Sequence, residues 1–273
     1  MPFYRGDDSD VLPVFGHSYT FQDYLVQAYP LIKGNFSHYL IVGDDMLLNP
    51  ALCEENILNA LQCDSSRSYI KEIRTTSPND PWAQRHRYLD VLDYPGISLA
   101  PLLPTPNELR ECFERNALRA QAPKLRLRTY AKLGFWYFIS HFTPNPITRR
   151  SRKLSHHKTA LTSHVQYVVR SYSDFFAIAS RDMDAFIHYC GVLSSIRLFA
   201  EIAIPTALIY AGATIRQEKD IAYHGVETWT KETNLTPAFT AAPGILDLWS
   251  YFSANPKALY VHPVKLSKFS TVL

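Results

Sequence analysis

Two adjacent acids at the end of an apolar run are the feature of this sequence that most directly suggests chemistry. Tyr39 to Pro50 reads YLIVGDDMLLNP, so Asp44 and Asp45 follow Gly43 at the end of the run His38 to Val42. Carboxylates are hard oxygen ligands, and a strand that delivers them at its carboxyl end sets them on a sheet edge, where Mg²⁺ or Mn²⁺ can be held. The competing use is a turn in which Asp44 or Asp45 caps the next helix. Near the far end, YVHPVKLS (Tyr260 to Ser267) carries an imidazole, His262, and a primary amine, Lys265. His262 is one of ten histidines, and its competing reading is an ordinary surface or core residue. Glu201 stands alone in a run of fourteen otherwise uncharged residues, Leu198 to Ala211. Burying a carboxylate there is costly without a partner or a task, which makes Glu201 a candidate general base. Its alternatives are pairing with Arg197 one helical turn earlier, or a place at a helix start. Asp174 and Asp182 are further acids in the stretch Asp174 to Leu208, and Asp182 or Asp184 suits a helix first turn. Trp229 and Trp249 are large aromatic residues of the kind that more often fill a core.

The elements that must position these residues follow from periodicity and punctuation. Thr20 to Leu31 predicts a helix closed by Gly34, and His38 to Val42 a buried strand. Asn49 as N-cap with Pro50 at the first helical position, followed by Leu52, Ile57, Leu58 and Leu61, predicts a second helix. Next come a strand over Tyr69 to Thr75, a helix near Trp82 to Leu92 and a Pro-rich loop from Pro95 to Pro106. A helix over Glu108 to Ala120 precedes a second loop, Pro144 to Ser155. Val165 to Arg170 and Phe175 to Ala179 predict strands, Asp182 to Leu193 a helix, and Pro205 the first turn of another. Tyr223 to Thr228 predicts a strand, Ile245 to Phe252 a helix, and Leu259 to Val261 a last strand. Strands alternating with helices predict an α/β layer fold on a mixed, mostly parallel sheet flanked by helices.

Composition narrows the function classes. The chain is 47% apolar and 19% charged, long enough for a substantial core. Its ten glycines include no GxG, so the dinucleotide fingerprint is absent, as are GxxxxGK[ST], HExxH and GxSxG. Cys53, Cys63, Cys112 and Cys190 form no CxxC pair, which excludes a zinc ribbon and a disulfide framework and makes a reducing, cytoplasmic location the default. No stretch reads as a secretion signal or a membrane span. The net charge of +3 hides a block: residues 115 to 173 hold 12 Lys and Arg with no Asp or Glu, interleaved with Phe135, Trp136, Tyr137 and Phe138. Residues 115–170 are therefore a candidate contact for phosphate or an anionic membrane surface, placing the protein peripherally at the inner face of a membrane. The alternative is a solvated face paired with the acidic first third of the chain. No RNP-type, zinc-finger or helix-turn-helix signature is present, so nucleic acid is not expected as a partner.

The GDD also resembles the metal-binding hairpin of RNA-dependent RNA polymerases. Against that, only Met46, Leu47 and Leu48 separate the acids from the helix-starting pair Asn49 and Pro50, and only 43 residues precede Asp44. Tyr39 to Pro50 more closely resembles the strand and DxD-like carboxylates of GT-A nucleotide-sugar-dependent glycosyltransferases. Tyr260 to Ser267 is similar to the late His and Lys segment of several of those enzymes, and the order, carboxylates early and His last, is the same. Asp174 to Leu208 resembles the acceptor half of that fold. The resemblance implies one GT-A-like domain over 1–273, N-terminally shortened, with a basic helical or loop insertion around 105–160. It further implies a metal-dependent hexosyl transfer from a nucleotide-sugar to a saccharide or lipid-linked acceptor, in polysaccharide or glycolipid synthesis. In that scheme Asp44, Asp45 and His262 hold Mn²⁺ or Mg²⁺, Lys265 grips the donor diphosphate and Glu201 is the catalytic base. The alternative is a non-catalytic glycosyltransferase-like scaffold that binds a membrane or a partner.

Overall fold

The computed structural model describes residues 9, 11–76, 99–120, 164, 166–227 and 245–264. The chain divides into two compact units, each assembled from three separate stretches. Unit 1 comprises Met1–Gly34, Arg74–Arg170 and Asp184–Gly212; unit 2 comprises Asn35–Ile73, Ser171–Met183 and Ala213–Leu273.

Unit 2 carries the acids and the histidine. Its strand β1, His38–Val42, has the bounds the sequence predicts but is not the buried strand expected, because it lies at the edge of its sheet and leaves Leu40 and Val42 exposed. It is followed by a two-residue strand, β2 (Leu47–Leu48), and a helix, α2 (Glu54–Ala60). Then comes β3 (Arg67–Ile70), where the sequence predicts one longer strand from Tyr69 to Thr75; the remainder is a separate strand, β4 (Arg74–Thr75), which belongs to unit 1. β6 (Phe175–Ala179) is buried at every position, as are all five residues of β9 (Ala258–His262). β7 (Thr214–Arg216), β8 (His224–Glu227) and a helix, α6 (Ile245–Ala254), complete the unit. A four-stranded sheet runs β1-β6-β3-β7 and a three-stranded sheet β2-β9-β8.

The sheets are mixed, but parallel pairing does not dominate. With β4 joined to β5 (Val169–Arg170) in unit 1, four of the six ladders among the described residues are antiparallel. Only β3 with β7 and β8 with β9 run parallel. The physical reason is that β1, β6 and β3 meet as direct antiparallel neighbours, so no crossover helix need lie between them.

Asn49 does not cap a helix. It is 2% exposed; its Nδ2 donates to the carbonyls of Ala258 (2.8 Å) and Pro256 (3.3 Å), and its Oδ1 accepts from Ala51 N–H. Its amide thus clamps the start of β9, and α2 begins later, after Cys53. Between the sheets, Phe175 packs against Tyr69 and Tyr260 at ring-centroid distances of 5.9 and 5.0 Å, with Met46, Ile57 and Leu61 around them. Gly225 permits this packing, because a Cβ there would collide with the Tyr260 ring.

Unit 1 is built on helices. α1 (Gln22–Ile32) lies close to its predicted place, and α3 (Pro106–Arg115) opens with a capping box in which Thr105 accepts from Glu108 N–H. α4 (Ser180–Ser195) gives its opening residues to unit 2 and the rest to unit 1. α5 (Ala200–Tyr210) is buried almost all round. It starts five residues before Pro205 rather than at it. The missing N–H of Pro205 leaves the Glu201 carbonyl without its usual helical donor, and the burial of this apolar helix outweighs that loss. Thr206 Oγ1 accepts from Val169 N–H and donates to the Val169 carbonyl, tying α5 to β5. All four cysteines are free, and burial pushes the Cys63 thiol up to about 12. No helix among the described residues is long and apolar enough to cross a membrane. The predicted helix at Trp82 to Leu92 and residues 121–163 of the basic block lie outside the described residues.

Because Phe175 bridges both sheets of unit 2, Phe175→Ala should cost about 3–5 kcal/mol. The check is a lower urea midpoint with an unchanged m value; a loss well under 1 kcal/mol (about a tenth of typical domain stability) would contradict the packing described.

Candidate functional site

Two short ladders decide where the acids meet the histidine. β1 and β6 pair with Val42 opposite Phe175, so Gly43, one step beyond, donates its N–H to the Asp174 carbonyl at 2.7 Å. The chain turns through Asp44 and Asp45, and β2 then pairs antiparallel with β9, Leu47 opposite Val261. Continuing that register backward carries residue 45 to the end of β9, where Val264 N–H reaches the Asp45 carbonyl at 2.5 Å. His262 is the last residue of β9.

The side chains meet accordingly. His262 Nε2 lies 2.8 Å from Asp45 Oδ1 and 3.8 Å from Asp174 Oδ2. The imidazole is 2% exposed while the Asp45 side chain is 48% exposed, so a buried ring is presented to an acid that solvent and ligands can reach. The other ring nitrogen, Nδ1, makes a short contact with the Tyr172 hydroxyl. The Tyr172 hydroxyl also interacts with the Asp174 carboxylate, and the Tyr172 and His262 rings stand edge to face at 5.3 Å. Beneath Tyr172 lies the Lys71 ammonium, 5.5 Å from the ring centroid and paired with Glu227, which is itself the register partner of His262.

Charge is crowded here. Burial, and then the nearby Asp45 and Asp44, raise the carboxyl of Asp174, against the opposing pull of His262 and Tyr172. Burial likewise raises the phenol of Tyr172. Carboxylates and an imidazole are donor types whose chemistry suits Mg²⁺ or Mn²⁺, and a cation would relieve the repulsion felt by Asp174. As arranged, however, His262 Nε2 is engaged with Asp45. Among the described residues no group of three or more His, Cys, Asp or Glu side chains is disposed to hold a metal ion.

The structure therefore brings together Asp45 and His262, 217 residues apart in the chain, with Asp44 on the exposed shoulder of the same turn. Glu201 is placed in unit 1, half-buried in the first turn of α5, where a helix dipole favours a carboxylate. Lys265 and Trp229 lie outside the described residues, and Trp249 is exposed on α6. Asp182 contacts Arg181, and Asp184 pairs with Lys33 and Tyr29. Sequence reasoning had not joined Asp174 to the acid pair, although it bounds an apolar strand as Asp44 does. The antiparallel pairing of the two strands, which sets the start of one beside the end of the other, was the missing signal. Tyr172 carries no sequence signal at all.

Compared with models of known protein families, with curated proteins and with solved structures, the chain matches none.

A raised carboxyl favours the protonated form in the fold. The stability it contributes is complete below the ordinary aspartate value of 3.8 and is lost as pH rises through the elevated folded value. In metal-free protein, Asp174→Asn should therefore raise the urea midpoint near neutral pH, and the gain should fade toward that acid limit. A variant less stable than the parent at neutral pH would show that the His262 and Tyr172 attractions outweigh the burial.

Proposed function

We propose that this protein is a metal-dependent glycosyltransferase of GT-A type, moving a sugar from a nucleotide-sugar donor to a saccharide or lipid-linked acceptor. The observation that carries the reading is the meeting of Asp45 with His262, with Asp174 beside them, where the early carboxylates and the late histidine are far apart in sequence. Asp44, Asp45 and His262 are the residues that would hold the ion, with Asp174 within reach. Bound Mn²⁺ or Mg²⁺ supplies a Lewis acid for the charge that develops on a leaving diphosphate. The chain's own contribution is orientation. Tyr172 fixes the imidazole from the Nδ1 side, and Lys71 holds Tyr172 from below. To act as ligands, His262 would have to present Nε2 without a hydrogen and Asp45 would have to leave its contact with that nitrogen. Lys265 would contact the diphosphate.

A second reading is favoured by the hydrogen bond itself. Asp45 orients His262 and Tyr172 occupies its other nitrogen, which is the arrangement of an imidazole that moves protons without a metal. In this reading the partner or substrate need carry no diphosphate.

Thermal unfolding with UDP-, GDP- and CMP-sugars, each with and without Mn²⁺, separates the two. The transferase reading expects stabilisation that needs both metal and nucleotide, about 2.7 kcal/mol at a hundredfold excess over Kd, and that disappears in Asp45→Ala. Unaltered stability with every donor at millimolar concentration rejects it.

A further inference from the structure

Beside the His262 cluster, unit 2 opens into a cleft of about 520 Å³ between residues 71–73 and 217–224. Two hydrogen bonds pin its walls together: Ile73 N–H donates to Gln217 Oε1 at 2.9 Å, and Glu218 N–H donates to the Lys71 carbonyl at 2.8 Å. The cleft is therefore set before any ligand arrives, which lowers the ordering cost of binding. Lys71 is the shared wall, since its ammonium also meets Glu227 and the Tyr172 ring.

The lining selects a chemistry. Lys71 and Lys219 balance Glu72 and Glu218 in formal charge, so these side chains carry no excess of one sign that would select an anion or a cation. Tyr223 and Ile221, packed against the core on one side, offer apolar surface on the other. The Glu218 carboxylate is fixed by Gly225 N–H, which donates to Oε2 at 2.6 Å, and its second oxygen is left to accept from a ligand hydroxyl. Burial raises the carboxyl of Glu218, against the opposing effects of Gly225, Lys71 and His224, so its surroundings suit contact with neutral donors. A planar carboxylate beside an aromatic ring, in a cleft with no net charge, matches a ligand with hydroxyls on its edge and C–H groups on its face.

We propose that this cleft binds a neutral saccharide, with Glu218 accepting from its hydroxyls and Tyr223 covering its C–H face, and that it is the acceptor pocket. The acceptor role rests on the transferase reading above, whereas saccharide binding does not. The test is chemical-shift perturbation of the full-length protein by methyl glucoside, methyl galactoside, methyl mannoside and N-acetylglucosamine at millimolar concentration, without metal or nucleotide, with inorganic phosphate as the anionic control. At least one glycoside should give saturable shifts at residues 71–73 and 217–224. Glu218→Gln, which preserves shape, and Tyr223→Ala should each weaken binding about tenfold or more, and Asp45→Asn should leave it intact. No glycoside shift at these residues, shifts unaffected by Glu218→Gln, or tighter binding of phosphate than of every glycoside overturns the proposal. Donor titration failing while glycoside binding stands removes the transfer and keeps the cleft. The opposite pair of results removes the cleft alone.

Discussion

The ladder between β2 and β9 is only two residue pairs long, yet the candidate site depends on it. Leu47 opposite Val261 and Leu48 opposite Tyr260 fix the turn at Asp44 and Asp45 against the end of β9. A slip of one residue would put every side chain of so short a strand on the opposite face. The register is held from outside the ladder. Asn49, almost fully buried, donates to the carbonyls at the start of β9, and Val264 N–H reaches the Asp45 carbonyl at its end. Buried backbone groups that must be paired thus act as the ruler that brings a carboxylate to an imidazole.

The same constraint explains the electrostatic character of the cluster. Pairing β1 with β6 sets the entry of one strand beside the exit of the other, so Asp174 shares a small volume with Asp44 and Asp45. Three like charges in partial burial are unfavourable unless something compensates. Here the compensation comes from His262 on one side and the Tyr172 hydroxyl on another, with Lys71 and Glu227 behind them. An arrangement of this kind is poised toward a cation or a proton, since either relieves the repulsion.

Much of the fold was legible in local patterns. The apolar runs HYLIV and FFAIA became strands with the bounds read from the sequence; FFAIA is a buried inner strand, whereas HYLIV lies at the edge of its sheet with Leu40 and Val42 exposed. The errors came where a residue with a strong local preference found a better long-range use. Asn49 is a good N-cap, but its amide satisfies three backbone groups when turned toward β9 and its own loop. Pro205 favours a helix start, but the apolar burial of α5 carries the helix through it.

By itself the sequence determined which groups were available: two hard acids after a strand, a late histidine, a lone glutamate and a basic block. It also determined most of the strands and helices that carry them, because hydrophobic periodicity is a local property. The tertiary structure alone decided which of these meet. In the ladders β1 with β6, β3 with β6, β3 with β7 and β2 with β9, register and strand direction are set by hydrogen bonds between residues more than a hundred positions apart. No local pattern encodes that Asp174 stands beside Asp45, or that Tyr172 and Lys71 lie behind His262.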